Sequence, residues 1–323
     1  MRSATGPRTV DTRSSGAQRC SSLRHCVNSP ARTYPQVVTA DGLPTARFTV
    51  ALTVPDTAVA PARTRVPRKR RAGADDARTA GVEAFLPGGE WRHEQHGAVY
   101  VHERLRADVE KHKSHWGRLS EPPTGEIELS ALRHLGLQRA LFLDLETCGL
   151  SSSPVFLAGT MFWNGGDFVL RQYFARHYGE EPGLLAAVAE QARGFDVLIT
   201  FNGKSYDAPF LAARALTHGV AMQLPRHHVD LVHHARRRWR TELPDCRLTT
   251  IERRICRRRR TGDVPGSEIP GLYHDYVRNG DPWRLVPVFH HNLLDVTTMS
   301  DILHALAPYK NFGVLTFQAE DEI

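Results

Sequence analysis

The stretch that decides the fold is "ALFLDLETCGL", residues 140–150. Apolar and acidic positions alternate along it, with leucine at 141, 143 and 145 and Phe142, Asp144 and Glu146 between them, a period of two that predicts a β-strand. Alternate side chains share one face of a strand, so Asp144 and Glu146 are expected to point into one cleft. Taken alone, an Asp-x-Glu pair is equally compatible with a solvated strand edge.

The segments that follow predict the rest of an α/β domain. "VFLAGTMFW" and "DFVLRQYFA" are joined through "NGG", which predicts a β-hairpin, and "GEEPGLLAAVAEQARGF" predicts a helix. "DVLITF" predicts a buried strand, "YDAPFLAARALTHG" a helix ending at Gly219, and "HHVDLVHHARRRWR" a short strand leading into a helix. "HNLLDVTTMSDILHAL" predicts a final long helix. This order predicts a ribonuclease H-like fold with a mixed five-stranded sheet flanked by helices.

Charge divides the chain unevenly. Residues 1–75 contain 13 Lys and Arg against four Asp, whereas the remainder contains 29 basic and 31 acidic residues. We therefore predict a disordered basic tail at 1–80, a hairpin and linker at 81–136, a main domain at 137–310 and a C-terminal tail at 311–323. The basic tail could be inert, a misassigned start, a transit peptide, a nuclear address or a nucleic-acid-binding arm.

Composition excludes several classes of protein. The five cysteines form no Cys-x-x-Cys pair, which argues against a disulfide framework or a zinc module. No stretch of 18 or more apolar residues occurs, and the N-terminus lacks the apolar core of a secretory signal. We therefore expect a soluble cytoplasmic protein without a membrane partner.

Two further segments place acids near the Asp144 strand. Asp207 follows a buried strand in "TFNGKSYDAPFL", where an acid gains from the helix dipole or simply caps the helix, and Asn202 and Lys204 lie in the loop before it. Asp295 lies on the last helix in "FHHNLLDV". His291, four residues earlier, shares its face, whereas His290 points away, so His291 is the better candidate for a shared site.

Together these segments resemble the DEDD exonuclease superfamily, whose pattern is Asp-x-Glu, then Asn-x₂₋₃-(Phe/Tyr)-Asp, then Tyr-x₃-Asp or His-x₄-Asp. The sequence is more similar to the YprB-like ribonuclease H-like domain family, through "FNGKSYDAPFL", "RLTTIERRI", "GDVPGSEIPGLYHDYVRNG" and "HNLLDV". The resemblance covers about residues 83–307. A Tyr or His commonly precedes the Asn-x-x-Asp of that family, which favours His291, although His290 also satisfies His-x₄-Asp.

The resemblance implies a metal-dependent 3′ to 5′ exonuclease acting on DNA or RNA, on a single-stranded 3′ end. Asp144, Glu146, Asp207 and Asp295 would hold two Mg²⁺ or Mn²⁺ ions, and His291 would orient or deprotonate the attacking water. Asn202, Lys204 and Tyr206 would contact the substrate. The alternative is a ribonuclease H-like nucleic-acid-binding module with weak or absent catalysis that acts with a partner.

A basic stretch supplies a second binding hypothesis. Residues 226–260 contain 12 Arg against four acids, which could follow a nucleic-acid backbone with Trp239 stacking on bases, or could be solvated arginines around a core tryptophan. Asp230 is expected to cap a helix rather than to act as a fifth ligand. Cys148 is expected to be a small buried residue rather than a nucleophile.

Overall fold

The computed structural model describes residues 81–110, 127–150 and 152–306. All of them belong to one compact unit. The predicted tails at 1–80 and 311–323 lie outside the described residues, as does most of the linker between the hairpin and the main domain. A membrane-spanning helix is not found among residues 81–110, 127–150 and 152–306.

A seven-stranded mixed sheet forms the centre of the fold. Its strands are β1 (Gly88–His93), β2 (Gly97–Leu105), β3 (Ala140–Thr147), β4 (Val155–Trp163), β5 (Phe168–Phe174), β6 (Val197–Thr200) and β7 (His227–Asp230). Their order across the sheet is β1-β2-β5-β4-β3-β6-β7. Strand β3 pairs antiparallel with β4 and parallel with β6, and β7 pairs parallel with β6. The strand that carries Asp144 and Glu146 is therefore internal, as its apolar pattern predicts.

The prediction of five strands is wrong by two. The expected N-terminal hairpin, β1 and β2, does form, but β2 pairs antiparallel with β5 from Tyr100↔Phe174 to Leu105↔Val169. Strand β5 would otherwise present an open sheet edge, and pairing with β2 satisfies its backbone groups. The hairpin thus extends the main sheet.

Eight α-helices accompany the sheet in the described residues. They are α1 (Arg106–Val109), α2 (Ile127–Leu135), α3 (Glu181–Ala192), α4 (Asp207–Thr217), α5 (Leu231–Trp239), α6 (Leu248–Arg254), α7 (Ile269–Asn279) and α8 (Val286–Leu306). The stretch "VPGSEIPG", residues 264–271, is typical of a loop, yet its last three residues begin helix α7. Its apolar residues recur at helical spacing, at 269, 272, 273, 276 and 277, and Gly280 ends it in the left-handed conformation, so the signal was present.

Burial around β3 explains which way its side chains point. Leu143 and Leu145 belong to a buried cluster with Leu184 of α3 and Leu211 of α4. Phe142 belongs to a second cluster that contains residues of α8. Asp144 and Glu146 follow Phe142 in the strand alternation and are partly buried, so the two carboxylates lie on the side of β3 that meets α8.

Candidate active site

Asp144 is held by a buried asparagine of α8. The Asn292 Nδ2 donates to Asp144 Oδ2 at 2.9 Å, and its Oδ1 accepts from Gln172 Nε2 of β5 at 2.9 Å. Gly159 of β4, the register partner of Asp144, leaves the room that this amide fills. Asn292 and Gln172 are both buried, so the hydrogen bonds fix the carboxylate between β3 and α8. Gly159 and Gln172 carry no local signal in the sequence, whereas Asn292 is the asparagine of the Asn-x-x-Asp pattern in "HNLLDV", where spacing points only to His291 and Asp295.

Asp207 begins α4 and is tied to the same strand. Its Oδ1 accepts from the Leu145 backbone N–H at 3.2 Å. The β3–β6 ladder pairs residues 140–142 with 197–199, so Leu145 lies beyond that ladder. The Leu145 N–H is a buried donor that needs an acceptor, and the hydrogen bond from it holds the Asp207 carboxylate against β3. Asp207 itself is buried, 6% exposed.

The four predicted acids lie close enough to perturb one another. Burial, followed by the charges of Asp295, Glu146 and Asp207, raises the pKa of Asp144 well above its ordinary value. Burial and the charges of Asp295 and Asp207 do the same for the pKa of Glu146. Burial raises the pKa of Asp207 to about 7. Burial also raises the pKa of Asp295, although Arg260 and His291 oppose it. The structure thus brings Asp144, Glu146, Asp207 and Asp295 together.

An arginine that sequence reasoning did not assign to the site neutralises one of these acids. The Arg260 guanidinium forms an ion pair with Asp295 and contacts Glu252 Oε2 at 2.6 Å and Asp263 Oδ2 at 3.1 Å. All four side chains are largely buried. Because Arg260 is 35 residues from Asp295 and lies in a basic run, nothing in the sequence distinguishes it from its neighbours.

The two candidate histidines have different environments. His291 Nε2 lies 3.5 Å from Asp295 Oδ2, and its Nδ1 lies 2.8 Å from Asp263 Oδ1. His290 Nε2 instead lies 3.1 Å from the Thr261 carbonyl oxygen. The structure therefore brings His291, and not His290, beside Asp295, as the helical spacing predicts.

The loop after β6 is organised by Asp230. Its Oδ1 accepts from the N–H of Asn202 at 2.7 Å, and its Oδ2 accepts from that of Lys204 at 3.0 Å. It also accepts from Val232 N–H as the N-cap of α5, the expected role. Asn202 has a positive φ of 68°, which this loop requires. The Lys204 ammonium donates to Glu128 Oε1 at 2.5 Å.

Tyr206 precedes Asp207 and is 36% exposed. Its ring stacks on Phe210, with centroids 5.9 Å apart. Cys148 is buried, and burial raises the pKa of its thiol to about 12, so the thiol stays protonated at neutral pH as a structural residue does.

The basic stretch at 226–260 contains arginines of two kinds. Arg258 forms ion pairs with Glu110 and Asp301, and Arg260 is in the site described above. The exposed arginines of α5, α6 and the segments that follow them are Arg236, Arg237, Arg238, Arg240, Arg247, Arg253, Arg254, Arg257 and Arg259. Trp239 is 4% exposed and belongs to the core, so the alternative in which it stacks on bases is wrong.

The donor set suits a hard divalent cation in its chemistry, because four carboxylates, Asp207 buried and the other three partly buried, repel one another and gain from a cation between them. The side chains are not arranged for it: over the described ranges, no group of three or more His, Cys, Asp or Glu residues surrounds a common point. Asp144, Asp207 and Asp295 each direct an oxygen to a protein donor instead. At Asp295 a cation would compete with the Arg260 guanidinium, which contacts Oδ1, for the charge of the carboxylate.

Comparison with known proteins places this geometry in a family. The uncharacterized protein YprB of Bacillus subtilis is 31% identical over 163 residues, 49% of this chain and 39% of YprB. A DNA polymerase of Methanocaldococcus jannaschii is 26% identical over 117 residues, 34% of this chain and 7% of the polymerase. The family B DNA polymerase structure of Pyrobaculum calidifontis has a TM-score of 0.43 at 17% identity and matches 52% of this chain and 24% of that one.

The chain therefore spans less than half the length of each of these relatives. A family model described as the RNase H superfamily matches residues 141–307, which include β3, α4, α8 and all four acids. This match covers more than half of the chain, and the chain belongs to the RNase H superfamily.

Proposed function

We propose that this protein is a metal-dependent 3′ to 5′ exonuclease of the DEDD type that releases nucleoside monophosphates from DNA or RNA. The observation that carries the proposal is the convergence of Asp144, Glu146, Asp207 and Asp295, from three separate elements, into one cluster in which all four pKa values are raised. Four carboxylates repel the phosphates of a nucleic acid and would weaken binding in a protein that only binds it. The presence of all four therefore favours a catalytic role.

The four carboxylates are the proposed ligands for two Mg²⁺ or Mn²⁺ ions. When bound, such ions lower the pKa of water and stabilise charge that develops on the phosphate oxygens. Asn292 contributes by holding Asp144 in place at 2.9 Å, and the Leu145 N–H does the same for Asp207 at 3.2 Å. His291, beside Asp295, is the proposed group that orients or deprotonates the attacking water.

The proposed substrate is a nucleic-acid strand with a free 3′ end. Asn202, Lys204 and Tyr206, in the loop before Asp207, are the proposed substrate contacts, and the exposed Tyr206 ring offers a face for base stacking. Exposed arginines of α6 and the segment after it offer phosphate contacts. The similarity of this chain to part of a protein named as a DNA polymerase is compatible with such a substrate.

One observation favours the second candidate function, a nucleic-acid-binding module with weak or absent catalysis. The ion pair between Arg260 and Asp295 already neutralises one of the four acids without a metal. A site kept in this state would bind a strand but would not cleave it. The two functions differ in whether a cation can replace Arg260 at Asp295.

The test uses the purified full chain with 5′-labelled single-stranded DNA and RNA, with Mn²⁺ or with EDTA. We expect a ladder that shortens from the 3′ end only with metal, and that stops at a block of phosphorothioate linkages placed at that end. Asp144→Ala and Asp207→Ala should abolish it while the far-ultraviolet circular dichroism spectrum is kept. Undiminished cleavage in either variant would refute the assignment, and strand binding without cleavage under all conditions would establish the second candidate.

A further inference from the structure

The segment between α6 and α7 is anchored beside the candidate active site by two arginines. Arg258 pairs with Glu110 and with Asp301 of α8. Arg260 pairs with Glu252 of α6 and with Asp295 of α8. These largely buried ion pairs fix the next residues of the segment, 261–264, against the first half of α8, where the two histidines lie.

This segment gives the two histidines different partners. The Thr261 carbonyl oxygen lies 3.1 Å from His290 Nε2, within hydrogen-bond distance. The Asp263 Oδ1 lies 2.8 Å from His291 Nδ1, within hydrogen-bond distance. Asp263 is itself held, since its Oδ2 accepts from Arg260 at 3.1 Å and its Oδ1 accepts from the Val264 N–H at 2.9 Å. Its side chain is 19% exposed, so water competes only weakly for the histidine.

We propose that Asp263 is the positioning residue for His291, fixing the proton of the neutral imidazole on Nδ1 and turning the Nε2 lone pair toward the carboxylate cluster. The inference rests on the proposed function, because it assigns a task to His291 within it. An ionised carboxylate only accepts hydrogen bonds, so a neutral His291 beside Asp263 must donate from Nδ1. Nε2, 3.5 Å from Asp295 Oδ2, is then the nitrogen left to accept a proton.

The charge state of Asp263 agrees with this role. Burial opposes its ionisation, but His291 and Arg260, which lie against the carboxylate, outweigh burial and lower the pKa of Asp263. Asp263 is therefore a carboxylate at neutral pH. Arg260 contacts both Asp263 and Asp295, so it holds in place the two carboxylates between which the His291 ring lies.

In this tautomer, Nε2 of His291 is free of a proton and can accept one from the attacking water. A proton passes from the attacking water to Nε2 of His291, and the water oxygen forms the new bond to phosphorus as the bond from phosphorus to the 3′-oxygen breaks. The leaving oxygen takes up a proton from solvent, and the imidazolium returns its proton to solvent. A carboxylate that holds the other nitrogen keeps the ring oriented and stabilises the imidazolium, as in other carboxylate–histidine pairs.

The kinetic test compares Asp263→Asn with the wild-type chain on a single-stranded oligonucleotide at saturating Mn²⁺. We expect kcat to fall by on the order of 10²- to 10⁴-fold, the range for losing a positioned general base, with KM changed less than about threefold. Asp263→Glu should restore part of kcat, and Asp263→Asn should add no loss to His291→Ala. Asp275→Asn, in an ion-paired carboxylate of α7, is the matched control and should keep wild-type kcat.

A spectroscopic readout needs no activity. In long-range ¹H–¹⁵N spectra of the full chain with Mg²⁺, we expect wild-type His291 to carry its proton on Nδ1 and Asp263→Asn to shift it toward Nε2, with His291→Gln assigning the signals. A wild-type Nε2–H tautomer would overturn the inference, as would wild-type kcat in Asp263→Asn or an additive loss in the double variant. A chain that shows the Nδ1–H tautomer but cleaves no oligonucleotide would refute the proposed function. The hydrogen bond by which Asp263 positions His291 would still be established.

Discussion

Gly159 and Asn292 share one small space at the centre of the site: a Cβ built on Gly159 would lie 2.1 Å from Asn292 Oδ1. Any larger residue at 159 therefore displaces the amide that bonds to Asp144 Oδ2. Because Gly159 is also the register partner of Asp144, the absence of a side chain on β4 lets α8 approach the carboxylate on β3. A glycine inside an internal strand, ordinarily a weak position, thus supports the candidate chemistry.

Gly159→Ala tests this relationship. We expect a loss of about 1–3 kcal/mol in the free energy of unfolding from overpacking, and a fall in nuclease kcat of about 10²-fold as Asp144 is misplaced. Urea unfolding and oligonucleotide cleavage measure the two effects. The control is Gly271→Ala in α7, where a Cβ meets no atom within 4 Å and the change should stabilise by about 0.5–1 kcal/mol. Equal behaviour of the two variants would contradict the packing argument.

The burial of Asp207 predicts a pH dependence of stability in the metal-free protein. Burial raises the pKa of Asp207 from its ordinary 3.8 to about 7 in the folded state. The folded state then holds the proton more tightly than the unfolded state, so stability is full below about pH 4 and is lost as pH rises toward 7.

We expect Asp207 to lower the free energy of unfolding of EDTA-treated protein by up to about 1.4 kcal/mol per pH unit, in addition to what the other three acids with raised pKa values contribute. Asp207→Asn should flatten this slope, and urea unfolding between about pH 5 and pH 8 measures it. Saturating Mg²⁺ should also flatten it, whereas Asp275→Asn should leave it unchanged. A slope of the same size in Asp207→Asn and wild type would mean that Asp207 is not the group responsible.

How far the sequence predicts this site depends on the range of each interaction. Alternation along β3 predicts the shared face of Asp144 and Glu146, and helical spacing predicts that His291 rather than His290 meets Asp295, because both patterns are local. The roles of Gly159, Asp263 and Arg260 depend on side-chain contacts between separate elements, such as Arg260 with Asp295 or Asn292 with Asp144, 148 residues apart. Composition and spacing do not predict such pairings.

The same limit applies to the fold. The "NGG" turn fixes the β4–β5 hairpin locally, through Asn164 Oδ1 accepting from the N–H groups of Gly166 and Asp167. The pairing of β2 with the far edge of β5 has no local signature, and it accounts for the two strands that the five-strand prediction omitted.

Arg260 links the stability of the site to its metal. Glu252 and Asp295 are largely buried acids that lose their cationic partner in Arg260→Gln, so we expect the metal-free protein to lose about 3 kcal/mol in the free energy of unfolding. Saturating Mn²⁺ should recover part of this loss, since binding to the folded state alone stabilises it.

Calorimetric titration should show tighter Mn²⁺ binding in Arg260→Gln, because the cation no longer competes with the guanidinium for Asp295. Arg259→Gln, the exposed neighbour, is the control and should change neither stability nor affinity measurably. Weaker Mn²⁺ binding in Arg260→Gln would show that Arg260 organises the ligands instead of competing with the metal.

The exposed arginines at the end of α6 and just after it predict how binding depends on salt. We define the arginine cluster as Arg253, Arg254, Arg257 and Arg259, all exposed, and set apart Arg258 and Arg260, whose ion pairs hold the fold. Each arginine that neutralises a single-stranded phosphate contributes about 0.7 to the slope of log affinity against log salt. Replacing the cluster with glutamine should reduce the magnitude of that slope by about 0.7 for each phosphate no longer neutralised, and should weaken binding most at low salt.

Fluorescence anisotropy of a labelled oligonucleotide from about 50 to 200 mM salt measures this slope. The matched control replaces four exposed arginines elsewhere, Arg92, Arg193, Arg278 and Arg284, and so changes net charge equally. If the arginine cluster neutralises the phosphates, the slope should change in the arginine-cluster variant and stay at the wild-type value in the control variant. An equal change of slope in both variants would assign the effect to net charge alone, and no change in either would exclude the arginine cluster from the nucleic-acid interface.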